Sequence, residues 1–231
     1  MSKFDLTYEA QILVAKLYFG DFKVPELIAW ARKAKRLRYK SEELTKLSKA
    51  TRHTREEVIK IFLDAVQSLD LNVVESGSDI FIFRNIDIAI QFLLGKLTPT
   101  KALEKTFHLI QESEDKDIYL DFVQFVNSHS IRYEDDEIKL PHRFLAPKVK
   151  KELKQIYLAF AEKHYHLKLR NQLKRRSTKQ LVFAKYKNSK VYNKLALIII
   201  DDILRIRKVT KKQIENILAD LKGGDWLDQI S

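Results

Sequence analysis

Two runs of cationic side chains are the residues whose types and spacing could do chemistry in this sequence. Arg32, Lys33, Lys35, Arg36, Arg38 and Lys40 fall within nine residues. Lys174, Arg175, Arg176 and Lys179 form a second run, followed at short intervals by Lys185 and Lys187. The chemistry on offer is phosphate neutralisation: each cation that meets a phosphate releases a counterion, a source of affinity that ignores base sequence. The chain has 231 residues, and its 43 Lys and Arg face 31 Asp and Glu, a formal charge of +12. That excess is segregated, because residues 148–194 hold 15 basic and 2 acidic side chains while residues 111–137 hold 2 and 9. Such asymmetry points to a polyanion, although a solvated helix face is the plain alternative for any charge run. Phe183, Tyr186 and Tyr192 lie between the later cations. There they could stack bases of a single strand or RNA, or serve as core.

Residues with catalytic potential do not assemble into a pattern. The chain has no cysteine, which excludes disulfides, thiolate metal sites and thiol catalysis. A phosphate-binding glycine loop, a dinucleotide fingerprint and a His-Glu-x-x-His motif are absent. His164 and His166 are two apart and diverge on a helix, and the adjacent Asp201 and Asp202 diverge likewise. His129 and Arg132 have the spacing of a phosphoryl-transfer pair without its surroundings. The acidic runs Glu112 to Asp117 and Glu134 to Glu137 lack ordered ligand spacing and read as solvated surface, a cover for a basic face or a protein contact. The reading is a non-enzyme without metal or cofactor. The most apolar run, Leu195 to Ile200, stops at Asp201, well short of a membrane span, and no export signal opens the chain, so an intracellular, cytoplasmic location is expected, in the nucleoid or nucleus if DNA is bound.

Helical periodicity dominates the elements that must position these cations. Residues 6–19 carry a broad apolar face, and a second helix starts at Val24-Pro25-Glu26 and runs into the first cationic run. Ser41 caps a short helix with Leu44 and Leu47, and Thr54 with Glu57 makes a capping box for the next, buried through Val58, Phe62 and Val66. After Leu71 the pattern turns strand-like, with Gly77-Ser78-Asp79 between Asn72-Val73-Val74 and Ile80-Phe81-Ile82-Phe83, which predicts a β-hairpin. Helical spacing returns from Ile86, restarts at Thr98-Pro99, and continues over 118–131 with strand character at its end. Pro147 opens a long helix through Leu153, Ile156 and Phe160, whose stripe could form a homodimer seam. A final helical pair covers 191–206 and 210–221, the latter capped by Thr210 with Gln213, and Trp226 belongs to a tail expected to dock on the core, with a short partner-binding tail as the alternative.

Helix, turn, helix, hairpin is the order of elements over residues 41–84, and this stretch resembles the winged helix-turn-helix superfamily. The resemblance, over about residues 6–84, makes residues 6–19 or 25–38 the first helix, Ser41 to Ala50 the positioning helix, Thr54 to Leu69 the recognition helix and residues 72–83 the wing. It implies base or groove contacts from Arg52, His53, Thr54, Arg55 and Lys60. Glu56, Glu57 and Asp64 share that helix and would repel phosphate, and the wing tip carries no cation, so a protein-docking winged helix is the other implication.

The expected fold is mainly α: a winged-helix-like domain with a small β-hairpin over residues 1–86, a helical acidic connection over 87–140 and a basic helical domain over 141–231. The expected function is nucleic-acid binding, with duplex DNA favoured and held through phosphates, in transcription control, replication or chromosome maintenance. The alternative is a structural adaptor or ribonucleoprotein subunit whose winged helix, or acidic middle, docks protein and whose basic half binds RNA.

Overall fold

The computed structural model describes residues 3–74, 77–134, 137–139, 146–164, 173–187, 189 and 194–220. The protein is mainly helical, with one two-stranded antiparallel sheet among the described residues. It divides into two compact units, Met1–Ala161 and Glu162–Ser231, where charge and motifs place boundaries at residues 86 and 140.

The first four helices follow the sequence signals closely. They are α1 (Lys3–Tyr18), α2 (Val24–Arg36), α3 (Glu42–Lys49) and α4 (Arg55–Ser68). Ser41 Oγ accepts from the Leu44 N–H at 3.0 Å, and Thr54 and Glu57 exchange side chain for backbone across the start of α4. Each cap satisfies helix-end N–H groups that have no partner within the helix. Leu27, Trp30, Ala31 and Ala34 bury one face of α2 against Leu44 and Leu47 of α3 and Phe62 of α4. Trp30 sits edge-on to Phe62 with ring centroids 5.2 Å apart, and its indole N–H donates to the Leu6 carbonyl of α1.

The β-hairpin predicted at 72–83 is not formed. Gly77, at φ +80°, leads directly into α5 (Ser78–Leu93), a helix buried along most of its length. Two arrangements explain the difference. Val74 finds its backbone partners in a side chain: its N–H donates to Gln11 Oε1 and its carbonyl accepts from Gln11 Nε2, both at 2.6 Å. A bidentate amide thus replaces the neighbouring strand that residues 72–74 would otherwise need. Within α5 the buried polar residues pair at helical spacing: Arg84 donates to Asp87 at i+3, and Gln91 donates to Asp87 from i+4. A strand would send Arg84 and Asp87 to opposite faces. The alternation of Ile and Phe that imitates a strand reflects burial on more than one side, where no polar face is required. Without the hairpin the wing is absent from residues 72–83, and α3 and α4 stand as two consecutive helices followed by a third.

Asp21, in the loop before α2, also accepts from Arg84, and Lys105 of α6 (Pro99–Glu112) stands 3.6 Å from the same carboxylate. A second polar link joins α5, α6 and α8 (Pro147–His164): Thr106 Oγ1 donates to Asn85 Oδ1 at 2.7 Å and lies 2.8 Å from the Tyr157 hydroxyl. Between α6 and α8 run a 3₁₀ turn (Lys116–Tyr119), α7 (Leu120–Ser128) and the short strands β1 (Arg132–Glu134) and β2 (Glu137–Lys139). The strands pair antiparallel with Tyr133 opposite Ile138. Tyr119 stacks on Phe160, and Phe122 and Phe92 both pack on Tyr157. Of the apolar stripe of α8, Leu153 and Phe160 are buried within the unit and Ile156 is half-buried.

The second unit contains α9 (Thr178–Tyr186), α10 (Lys194–Ile206) and α11 (Lys211–Asp220). α9 packs against both others, burying Leu181, Val182 and Ala184 with Leu195, Ile199, Ile200 and Ile203. Residues 140–145, 165–172 and 221–231, with Lys190 and Tyr192, lie outside the described residues, and so does the expected docking of Trp226.

Burial alone would push the Asp21 pKa up, but the Arg84 and Lys105 charges and the Arg84 hydrogen bond outweigh it and hold the carboxyl below its ordinary range. A depressed carboxylate pKa contributes stability that is present above the unfolded value and lost as pH falls through the folded one. Asp21→Asn should therefore cost about 1 kcal/mol at neutral pH, a charge-assisted bond discounted for the half-exposed position of Asp21. In urea titrations the gap from the parent should close as pH drops below about 4. A gap that persists in acid would exclude the ion pair as its cause.

Candidate nucleic-acid interface

The first cationic run belongs to the outer face of α2 and to the segment leaving it. Since Leu27, Trp30, Ala31 and Ala34 point inward, helical geometry sends Arg32, Lys33, Lys35 and Arg36 outward or sideways. Three of the six cations have structural duties. Arg32 Nε donates to the Ser48 carbonyl at 3.1 Å and so caps the end of α3. Lys33 pairs with Glu9 of α1 at 2.6 Å, and Lys35 Nζ stands 3.5 Å from Ser48 Oγ. Arg36, Arg38 and Lys40 are exposed, and no carboxylate among the described residues pairs with them.

The end of α2 is held by a backbone stop. Tyr39 N–H donates to the Ala34 carbonyl and Arg38 N–H to the Lys35 carbonyl, a left-handed turn in which Arg38 adopts φ +65°. Glycine is the usual residue there, because a Cβ in the left-handed region costs about 1–2 kcal/mol. The turn folds Tyr39 back onto the helical core and projects Arg38 and Lys40 over an open cavity of about 590 Å³. Lys35, Arg38, Tyr39, Lys40, Ser41 and Thr45 line it. This surface offers positive charge and the space to receive a phosphate.

The predicted recognition helix is less available. Thr54 is engaged in its capping box, and the guanidinium of Arg55 lies 4.3 Å over the ring of Phe22. Hydrogen bonds from Thr54 hold the Glu57 carboxyl below its usual range, so an anion stands at the start of α4 beside exposed Glu56. Arg52, His53 and Lys60 are exposed. Phe22 precedes α2 and Arg38 follows it, so the start of α4 and the free cations are separated by the length of a 13-residue helix, about 20 Å.

In the second unit Lys174, Arg175, Arg176 and Lys187 are exposed and Lys179 is half-buried. Lys185 is committed to Asp201 and lies 5.0 Å over the ring of Tyr186. Partial burial would lower its pKa, but the Asp201 hydrogen bond and charge outweigh that and raise it. Phe183 is half-buried, which leaves Tyr186 as the exposed aromatic of α9. Lys208, Lys211 and Lys212 are exposed cations that charge counting misses, because residues 195–231 balance at 6 basic and 6 acidic side chains. Their clustering around the Val209-Thr210 helix break was the available signal, and Lys208, at φ +55°, repeats the left-handed stop of Arg38. In the first unit the acidic residues Glu112, Glu114, Asp115 and Asp117 are exposed. No group of three or more metal-ligating side chains occurs among the described residues, and none of the described helices is long and apolar enough to cross a membrane.

Arg38→Gly should stabilise the protein by about 0.5–1 kcal/mol, the relieved left-handed strain less the added backbone freedom of glycine. Chemical denaturation measures it directly. A drop in stability would show that the Arg38 side chain has a structural role instead of a surface one.

Comparison with protein-family models, with curated proteins and with solved structures finds no match for this chain.

Proposed function

We propose that this protein binds duplex DNA through its phosphate backbone, in transcription control, replication or chromosome maintenance. The observation that carries the reading is the trio Arg36, Arg38 and Lys40, exposed, unpaired among the described residues and projected from a strained helix stop. Strain held in a residue with no packing role is a pointer to function. Among the described aromatics of the basic half, Phe160 is buried and Phe183 half-buried while Tyr186 is exposed on α9, which favours phosphate contacts over a stacking platform there. The α3–α4 pair keeps the order of a helix-turn-helix, yet its leading residues are tied into a cap and a ring contact, and binding through phosphates needs no base reading from them.

Binding to duplex DNA, single-stranded DNA and structured RNA of equal length, titrated with salt, tests this. Duplex should bind tightest, and Arg36→Ala, Arg38→Ala and Lys40→Ala combined should flatten the slope of log K against log salt by about 2–3, close to one unit for each phosphate no longer neutralised. An absence of binding to all three at low salt, or an unchanged slope in the triple variant, would overturn the proposal. Tighter binding to structured RNA would replace it with a ribonucleoprotein role.

A further inference from the structure

The second unit brings together two cationic segments that lie far apart in sequence. Arg207 follows the last residue of α10 and reaches back to the segment before α9. Its Nη2 donates to the Lys174 carbonyl at 2.7 Å and its Nη1 to Thr178 Oγ1 at 3.2 Å. A forked guanidinium has the geometry for two such bonds, and a lysine ammonium cannot replace both. On one side of this clamp stand Lys174, Arg175 and Arg176, and on the other the turn and first residues of α11 with Lys208, Lys211 and Lys212. Lys208 occupies the left-handed position after α10, where Val209 N–H returns to the Leu204 carbonyl at 3.1 Å.

Of three acids on α10 and α11, two are engaged with cations outside the gathered set and one faces a cation within it. Asp202 is paired with Arg205, Asp201 with Lys185, and Glu215 stands 4.0 Å from Lys211. Like charges held together repel within about a Debye length of 8 Å, so a polyanion lying across them would favour the clamped arrangement.

Resting on the DNA-binding reading above, we infer that Arg207 assembles a second phosphate-binding surface from Lys174–Arg176 and Lys208–Lys212. In this arrangement Arg207 is a positioning residue, and the cations it gathers meet the phosphates. The site joins two segments of one unit and accounts for the six cations together, whereas sequence alone isolates the first three.

Duplex DNA of random sequence is the probe, and the full-length chain is the protein. Lys208→Gln, Lys211→Gln and Lys212→Gln combined, all at exposed positions, should flatten the salt slope by about 2–3. Arg207→Lys, which keeps the charge and removes the fork, should weaken binding nearly as much as Arg207→Ala. If the parent binds duplex but the triple variant keeps its slope, the second surface is excluded while the α2 surface stands. If Arg207→Lys binds as the parent does, the positioning role is excluded. If the parent binds no duplex at low salt, this inference falls together with the reading on which it rests. Should the Arg207 variants fail to fold by circular dichroism, the exposed triple variant decides the surface.

Discussion

The buried guanidinium of Arg84 sets the terms for the first unit. A charge withdrawn from water costs several kcal/mol unless opposite charge and hydrogen bonds accompany it. Arg84 obtains both from Asp87, one helical turn along its own element, and from Asp21, which comes from the loop between α1 and α2. Lys105 approaches the same Asp21 from α6. One buried charge thereby requires α5 to be helical, brings the α1–α2 loop against it and sets where α6 lies. The Asn85, Thr106 and Tyr157 link then ties α8 to the same helix. A boundary at residue 86 would cut this network in the middle, which is why the compact unit extends to Ala161.

With α5 and α1 fixed, α2 has one way to bury Leu27, Trp30 and Ala34, and its cationic face is left outside. The helix dipole favours cations near a C-terminus, but that preference is satisfied within the last turn. Arg38 and Lys40 lie beyond it. Arg38 sits against local backbone preference, both sit against charge repulsion, and the same conflict recurs at Lys208. Local choices that oppose stability without a packing return are where a functional demand is expected.

Helix ends were the most legible part of the sequence because their signals are local. Ser41, Thr54 with Glu57, Thr98 with Pro99, and Thr210 with Gln213 mark starts that the structure reproduces. The segment 72–83 was misleading because its determinants are distant: Gln11 lies 63 positions from Val74, and Asp21 lies 63 from Arg84. Alternating Ile and Phe report burial on both sides as readily as a strand. For the candidate site, sequence located the charge but could not divide it. Arg32 at Ser48, Lys33 at Glu9, Arg55 on Phe22 and Lys185 at Asp201 are indistinguishable in sequence from free cations, and only folding separates them.

That division also bears on what kind of recognition the proposed surfaces could achieve. Base reading needs side chains rigidly aimed at a groove, whereas phosphate binding needs only charge within reach. At the start of α4, Thr54 is held by its cap, Arg55 by an aromatic face, and Glu56 and Glu57 present negative charge to any approaching backbone. Arg36, Arg38 and Lys40 stand elsewhere, on a helix end and the stop that follows it, with long side chains and no hydrogen-bonding neighbours to orient them among the described residues. Binding built from such groups would gain most of its free energy from counterion release and would lose it steeply with salt. Discrimination among sequences would have to come from DNA shape, which a cationic surface can sense through the phosphate positions it requires.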